Sequence, residues 1–254
     1  GFDLYVNDAF GSAHRAHAST EGVARHLPSA AGLPFAREVD ALTRLKENPK
    51  KPMAAIFGGA KISDKIGVIE TFLDKTEVLL VGGGMANMFF KAKGLEIGDS
   101  FVEDKGLDTA EKIMKKAAGK LVLPEDAIIA EEIRENAEHK AVSIDEVSAG
   151  WKIVDIGPKS VERFAEKLKG MKTVVWNGPL GVFETKPFDE GTTKIARKLA
   201  ELDAETYVGG GDSGAAVKQA DVADKITHVS TGGGAFLEFL EGKQLPGMSI
   251  LPDK

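Results

Sequence analysis

The sequence predicts an α/β fold, with three αβα layers on a mainly parallel sheet. Three observations carry this reading. A short apolar run, a glycine-rich turn and a helical pattern follow one another repeatedly, as in βαβ units. The runs are apolar at both alternating sets of positions, as expected of strands covered by helices on both faces. Glycine makes up 29 of 254 residues, well above the usual share of about 7%.

The elements follow in chain order. The opening GFDLYVNDAF is apolar and extended, with no cap, leader or initiator Met, so an incomplete chain is expected. Over residues 33–48, Phe35, Val39, Leu42 and Leu45 recur at helical spacing. Pro34 suits the first turn, and Asn48 with Pro49 stops the helix. The first βαβ unit runs through 53–57, Gly58 and Gly59, then a helix over 64–75. The next is 78–81, Gly82 to Gly84, then a helix over 85–93. A charged amphipathic helix is expected over 102–119, then two strands around Pro124 within 120–132, then a polar connection over 139–151. The pattern resumes at 173–176 with Asn177, Gly178 and Pro179 and a helix over 189–202. It recurs at 206–208 with Gly209 to Gly211 and a helix over 212–219, and at 227–230 with Gly232 to Gly234 and a helix over 235–240. The tail from Leu245 to Pro252 reads as an extended segment in need of a surface.

Composition narrows the function. Hydrophobic residues at 43% and charged residues at 28% suit an ordinary globular chain. There are 33 Lys and Arg against 39 Asp and Glu, for a net charge of −6. That argues against nucleic acid and membrane surfaces, which attract basic proteins, but not against small phosphorylated ligands. The lack of cysteine excludes disulfides, thiol nucleophiles and cysteine-held metals. No apolar run reaches a membrane span and no leader pattern is visible, so a cytoplasmic location is expected.

In a parallel sheet all the glycine turns lie on one edge, beyond the carboxyl ends of the strands, where ligands bind. Glycine lets backbone approach an anion closely, and a helix N-terminus offers free N–H groups and a favourable dipole. Lys61 and Lys65 follow Gly59, and their spacing would put both on one face of a first helical turn, aimed at an anion. The plainer alternative is two solvated lysines. Asp212 follows Gly211 as an N-cap or as a carboxylate for Mg²⁺ on a nucleotide. Glu184 could accept ribose hydroxyls or be a surface acid. Arg15, inside His14-Arg15-Ala16-His17, could clamp a phosphate or pair with Asp8. His139 and His228 read as surface or strand residues. The P-loop, dinucleotide, nucleophile-elbow and protein-kinase patterns are missing.

Taken together, NDAFGSAHRAHAST, FGGAKISDKI, VGGGMANMFF, TVVWNGPLGVFE, YVGGGDSGAAV and VSTGGGAFLEFLEGKQLPG resemble the phosphoglycerate kinase family over the whole chain, closest to the bacterial or organellar type. The resemblance implies a Rossmann-like nucleotide domain over 50–244 and a remnant of a second, glycerate-binding αβ domain over 1–32. It also implies an interdomain helix over 33–49 and a tail over 245–254 returning toward the second domain. The implied reaction is reversible phosphoryl transfer between 1,3-bisphosphoglycerate and MgADP, giving 3-phosphoglycerate and MgATP, in a monomer. Lys61 then matches the lysine on the transferring group, and Gly232, Gly233 and Gly234 the helix start aimed at it. Gly59, Lys61, Lys65, Gly83, Asn177, Pro179, Glu184, Gly210, Gly211, Asp212 and Ser213 match nucleotide contacts, Asp212 with Mg²⁺. Arg15 matches a substrate-phosphate arginine. Such chemistry is mostly positioning and charge neutralisation, so the absence of a nucleophilic triad is expected.

Two departures accompany the resemblance. The family extends upstream of Gly1, where most glycerate contacts lie, so this chain is expected to bind MgADP with little turnover. Ile153 stands where many members have glycine near the adenine. The alternatives are an NAD-dependent oxidoreductase and a non-catalytic nucleotide-binding module.

Overall fold

A computed structural model of the chain describes residues 1–103 and 106–252. Strand β1 (Tyr5–Asn7) pairs in parallel with β2 (Ser29–Ala31), and helix α1 (Leu33–Glu47) follows. Then come β3 (Met53–Phe57), α2 (Ile66–Leu73), β4 (Val78–Val81), α3 (Gly84–Ala92), α4 (Leu107–Lys116) and β5 (Leu121–Val122). The strands β6 (Asp126–Ala130), β7 (His139–Ser143) and β8 (Lys152–Ile156) come next, followed by α5 (Pro158–Leu168). The chain continues through β9 (Thr173–Asn177), α6 (Glu190–Ala200), β10 (Glu205–Gly209) and α7 (Gly211–Gln219), and closes with β11 (His228–Val229), α8 (Gly234–Glu241) and α9 (Pro246–Ser249).

The main sheet has the order β11-β10-β9-β3-β4-β5, and every pairing in it is parallel. Its two central strands, β3 and β9, are buried along their whole length. Successive side chains on a strand point to opposite faces, so one continuous apolar run feeds two cores. Ala55, Phe57, Leu79, Val81 and Tyr207 pack with Leu42, Val68 and Phe236 from α1, α2 and α8. Ala54, Ile56, Leu80, Trp176 and Val208 pack with Phe164, Ile195 and Val217 from α5, α6 and α7. The layers are therefore helix, sheet, helix, as expected.

Several expectations need correction. The 139–151 stretch is not a plain connection: β7 pairs antiparallel with β6, which also pairs antiparallel with β8 in a second sheet, β7-β6-β8. The helix expected over 64–75 opens as a 3₁₀ turn, Ser63–Lys65, before α2 begins at Ile66. The helix expected over 102–119 is confined to α4, and its residues 104 and 105 lie outside the described residues. The tail is not extended, because α9 forms with Pro246 in its first turn. The α9 turn rests on the N-terminal segment, with Asn7 Nδ2 donating to Gly247 O (2.9 Å) and Gly247 N donating to Ala13 O (2.9 Å). Residues 253 and 254 of that tail lie outside the described residues.

One bond cluster ties β6 to the start of α5. Asp126, 4% exposed, accepts Ser160 N (2.7 Å), Ser160 Oγ (2.6 Å) and Lys159 N (3.0 Å). The first turn of α5 is thus capped from another element, since its N–H groups have no partner within the helix. Asp126→Ala should cost about 3 kcal/mol, combining a lost cap with buried donors left unpaired. A urea melt checks this, and an unchanged midpoint would refute it.

Candidate nucleotide site

Because β3, β4, β9, β10 and β11 are parallel, their carboxyl ends meet on one edge. The turns there are bonded to one another. Gly58 N donates to Asn177 O (3.0 Å), Gly59 N to Pro179 O (2.7 Å), Gly83 N to Leu180 O (3.0 Å) and Gly210 N to Gly232 O (3.2 Å). Two side chains predicted as nucleotide contacts face inward and hold this scaffold. Asn177 Nδ2 donates to Gly209 O (2.7 Å), and Ser213 Oγ accepts Gly178 N (2.6 Å). Gly210 precedes α7 with φ +99°, a backbone conformation open to glycine, and a β-carbon there would press on Asn177 Nδ2.

A cavity of about 560 Å³ opens between these turns. Among the predicted residues it brings together Gly59, Gly83, Pro179, Glu184 and Asp212. Its farther wall is apolar, with Phe101, Ile133, Ile153 and Val154. Ile153, the departure noted in the sequence, lines that wall and donates its N–H to Ser100 Oγ (2.8 Å). Such a mix of glycine backbone, a few charges and an apolar wall suits a ligand with both a phosphate chain and a flat ring.

Lys65 is not a solvated helix lysine. Its Nζ donates to Gly58 O (2.7 Å), and a β-carbon on Gly178 would lie 2.6 Å from it. Burial pulls its pKa down to about 8, against the opposing pull of Asp64 and Asp212. Lys61 does not share a helical face with it, because Lys61 precedes the 3₁₀ turn. The Lys61 side chain is exposed and has no hydrogen-bond or ion-pair partner among the described residues.

Asp212 stands at the second position of α7, exposed and lining the cavity, with Gly210 in the N-cap position. One carboxylate beside a phosphate-sized space fits Mg²⁺, which keeps much of its coordination for phosphates and water. Arg15 does not pair with Asp8. Asp8 Oδ1 instead accepts Phe35 N (2.9 Å) at the start of α1, while exposed Arg15 donates from Nε to His14 Nε2 (3.3 Å). His14 lies against the start of α8, where a β-carbon on Gly234 would come within 2.7 Å of its Nε2. Arg15 and the Gly232–Gly234 turn are therefore neighbours.

Sequence reasoning missed four acidic or amide groups. Glu38, 4% exposed, bonds His228 Nε2 (2.7 Å), Thr231 N (2.6 Å) and Thr231 Oγ1 (2.7 Å). Burial raises its pKa, but the bonds from His228 and Thr231 outweigh that and leave it below its ordinary value. His228 is a strand residue, as expected, yet its ring also bonds Glu38 of α1, the carboxylate that holds the Thr231 turn. Glu103 accepts two N–H groups beside Lys61. Asp155, 1% exposed, accepts Gly191 N (2.6 Å), and burial raises its pKa well above normal. Asn87, 1% exposed and lining the cavity, donates to Phe101 O (3.0 Å), while its Oδ1 has no partner among the described residues. Nothing near these residues in the chain announces such roles.

The geometry can be set beside known proteins. A family model described as phosphoglycerate kinase matches residues 1–243. The phosphoglycerate kinase of Pelotomaculum thermopropionicum is 53% identical over 255 residues, covering 99% of this chain and 65% of that protein. That of Roseiflexus sp. is 54% identical over 254 residues, covering 99% and 64%. The solved phosphoglycerate kinase of Coxiella burnetii superposes with a TM-score of 0.89 at 47% identity, over 98% of this chain and 65% of that one. The enzyme from Pyrococcus horikoshii OT3 gives 0.87 at 33%, over 98% and 64%. The chain thus spans about 65% of the length of these relatives.

Proposed function

This chain belongs to the phosphoglycerate kinase family, and from that premise we propose that it carries the nucleotide half of a phosphoryl-transfer site. The relatives are transferases of this kind by name, and the oxidoreductase alternative lapses with the family. The observation that supports the reading best is the meeting of Asp212 and the glycine turns at Gly59 and Gly83 around one cavity, with Lys65 held on Gly58 O behind them and close enough to Asp212 to feel its charge. The proposed reaction of the whole protein is transfer between 1,3-bisphosphoglycerate and MgADP, yielding 3-phosphoglycerate and MgATP. Among the described residues no helix is long and apolar enough to cross a membrane; a cytoplasmic monomer is part of the proposal.

The residues divide the work. Lys65 places a positive charge where burial weakens solvent screening, which strengthens its pull on nucleotide phosphates. The N-termini of α3 and α7 add N–H groups and dipole. Glu184 serves the ribose, and the apolar wall with Phe101 takes the base. Asp212 would hold Mg²⁺, which supplies charge neutralisation on the phosphates. Lys61 and the Gly232, Gly233 and Gly234 N–H groups neutralise the transferring group, with Arg15 on the substrate phosphate. None of these is a nucleophile, because the reacting oxygens belong to the substrates.

Calorimetric titration tests this. MgADP should bind this chain at one saturable site, and NAD should not. The Lys61→Ala, Lys65→Ala double variant should lose at least about tenfold in affinity, as expected when charge-assisted bonds are removed. In a coupled assay the chain alone should show little or no turnover. Absence of MgADP binding by the folded chain would refute the site, and full turnover would refute the division of labour.

A further inference from the structure

We propose that Glu103 is a positioning residue for Lys61, an inference that rests on the reading of Lys61 given above. The lysine leaves the backbone just before the 3₁₀ turn Ser63–Lys65. Helix geometry leaves the first N–H groups of such a turn unpaired. Glu103 Oε2 accepts two N–H groups here, those of Ile62 and Ser63, each at 3.1 Å. It does so from a segment 40 residues further along the chain. On the other side, the Ile62 side chain is fully buried, and Gly106 leaves it room, since a β-carbon there would lie 3.0 Å from Ile62 Cγ2. The backbone next to Lys61 is therefore pinned by packing below and by one carboxylate above.

The Lys61 side chain has no such support. Its ammonium is exposed and unpaired among the described residues, and only a weak attraction links it to the Glu103 carboxylate. The direction in which it reaches is set by the backbone at 61–63, and Glu103 sets that backbone. Glu103 also lies two residues from Phe101, which lines the cavity. The carboxylate thus couples the wall at Phe101 to the loop that carries the lysine. Burial, the largest single influence, raises its pKa, but the bonds from Ser63 and Ile62 and the Lys61 charge together hold it below its ordinary value.

The test compares affinities of the 254-residue chain for MgADP and for the β,γ-imido analogue of MgATP. A lysine aimed at the transferring group should favour the longer nucleotide. Lys61→Ala should lower the analogue-to-ADP affinity ratio, and Glu103→Ala should lower it about three- to tenfold as an ionic hydrogen-bond acceptor is lost. Glu103→Gln keeps an acceptor oxygen and should recover most of the ratio. The double variant Lys61→Ala, Glu103→Ala should fall no further than Lys61→Ala alone, since residues acting as a unit are not additive. If Glu103→Ala fails to fold by circular dichroism, Glu103→Asp, one methylene short, takes its place with the same expected direction. An unchanged ratio, an equal loss for both nucleotides, or multiplying effects in the double variant would overturn the role of Glu103 alone. No change of ratio in Lys61→Ala would overturn the lysine assignment as well. Failure of the unmodified chain to bind MgADP would overturn the nucleotide site itself.

Discussion

Between pH 8 and pH 9.5 the affinity of the chain for MgADP should fall while the ligand-free fold becomes more stable. Both effects come from Lys65. Burial against the turns lowers its pKa to about 8, and the nearby carboxylates of Asp64 and Asp212 offset only part of that. Phosphate oxygens at the site would favour the ammonium and raise its pKa in the complex. The complex then keeps a proton that the free chain has released above pH 8. Affinity is level below that point and drops above it by up to about tenfold per pH unit, or about thirtyfold by pH 9.5. Stability moves the other way. The folded pKa of about 8 lies below the ordinary 10.5, so between those values the unfolded chain binds more protons. Stability therefore rises with pH across that window, as the cost of burying a charge is relieved. Lys65→Met removes both trends: its weaker affinity should show no such pH step, and its urea midpoint should gain nothing over the same range. Parallel profiles for the two proteins would show that Lys65 titrates elsewhere or does not meet the phosphates.

The parts of the fold legible in the sequence are those whose burial is written locally. Strands β3, β4 and β9 are mainly apolar runs leading into glycine, because both faces of a parallel sheet are covered. The strand β7 was not legible for the opposite reason. HKAVS is largely exposed, so its strand character depends on pairing with β6 rather than on its own pattern. The site divides in the same way. Glycine turns declare themselves, and they led to Gly59, Gly83, Pro179, Glu184 and Asp212 in one cavity. The lysine pair is half legible: its spacing marks the residues, but implies a helical face where the chain runs as a 3₁₀ turn. Glu38 and Glu103 were invisible because a carboxylate that accepts backbone N–H groups looks like any surface acid. Its partners lie 193 and 40 positions away, and only the folded chain brings them together.

Gly58→Ala should be among the most damaging single-methyl additions in this protein. The alanine Cβ would stand 2.1 Å from Pro179 O and 2.7 Å from Gly178 O. Both are backbone oxygens in a turn, so no side chain can rotate away. Relief requires β3 and β9 to part at their carboxyl ends, where Gly58 N bonds Asn177 O (3.0 Å) and Gly59 N bonds Pro179 O (2.7 Å). Overpacking of a rigid site costs about 3 kcal/mol at the upper end of the usual range. The functional loss should exceed that, because Gly58 O is also the acceptor that holds Lys65 Nζ, and Pro179 is a wall of the cavity. A shift of about 1 Å in such a site is enough to cost a hundredfold in function. Gly94→Ala provides the contrast. Its φ of +76° makes alanine strained, but among the described residues nothing lies within 4 Å of the added carbon. It should lose about 1 kcal/mol from backbone strain alone and keep its MgADP affinity. Urea melts and MgADP titrations on both variants separate the two mechanisms. If Gly58→Ala kept the wild-type midpoint and affinity, close contact between the two turns could not be what shapes this edge of the sheet.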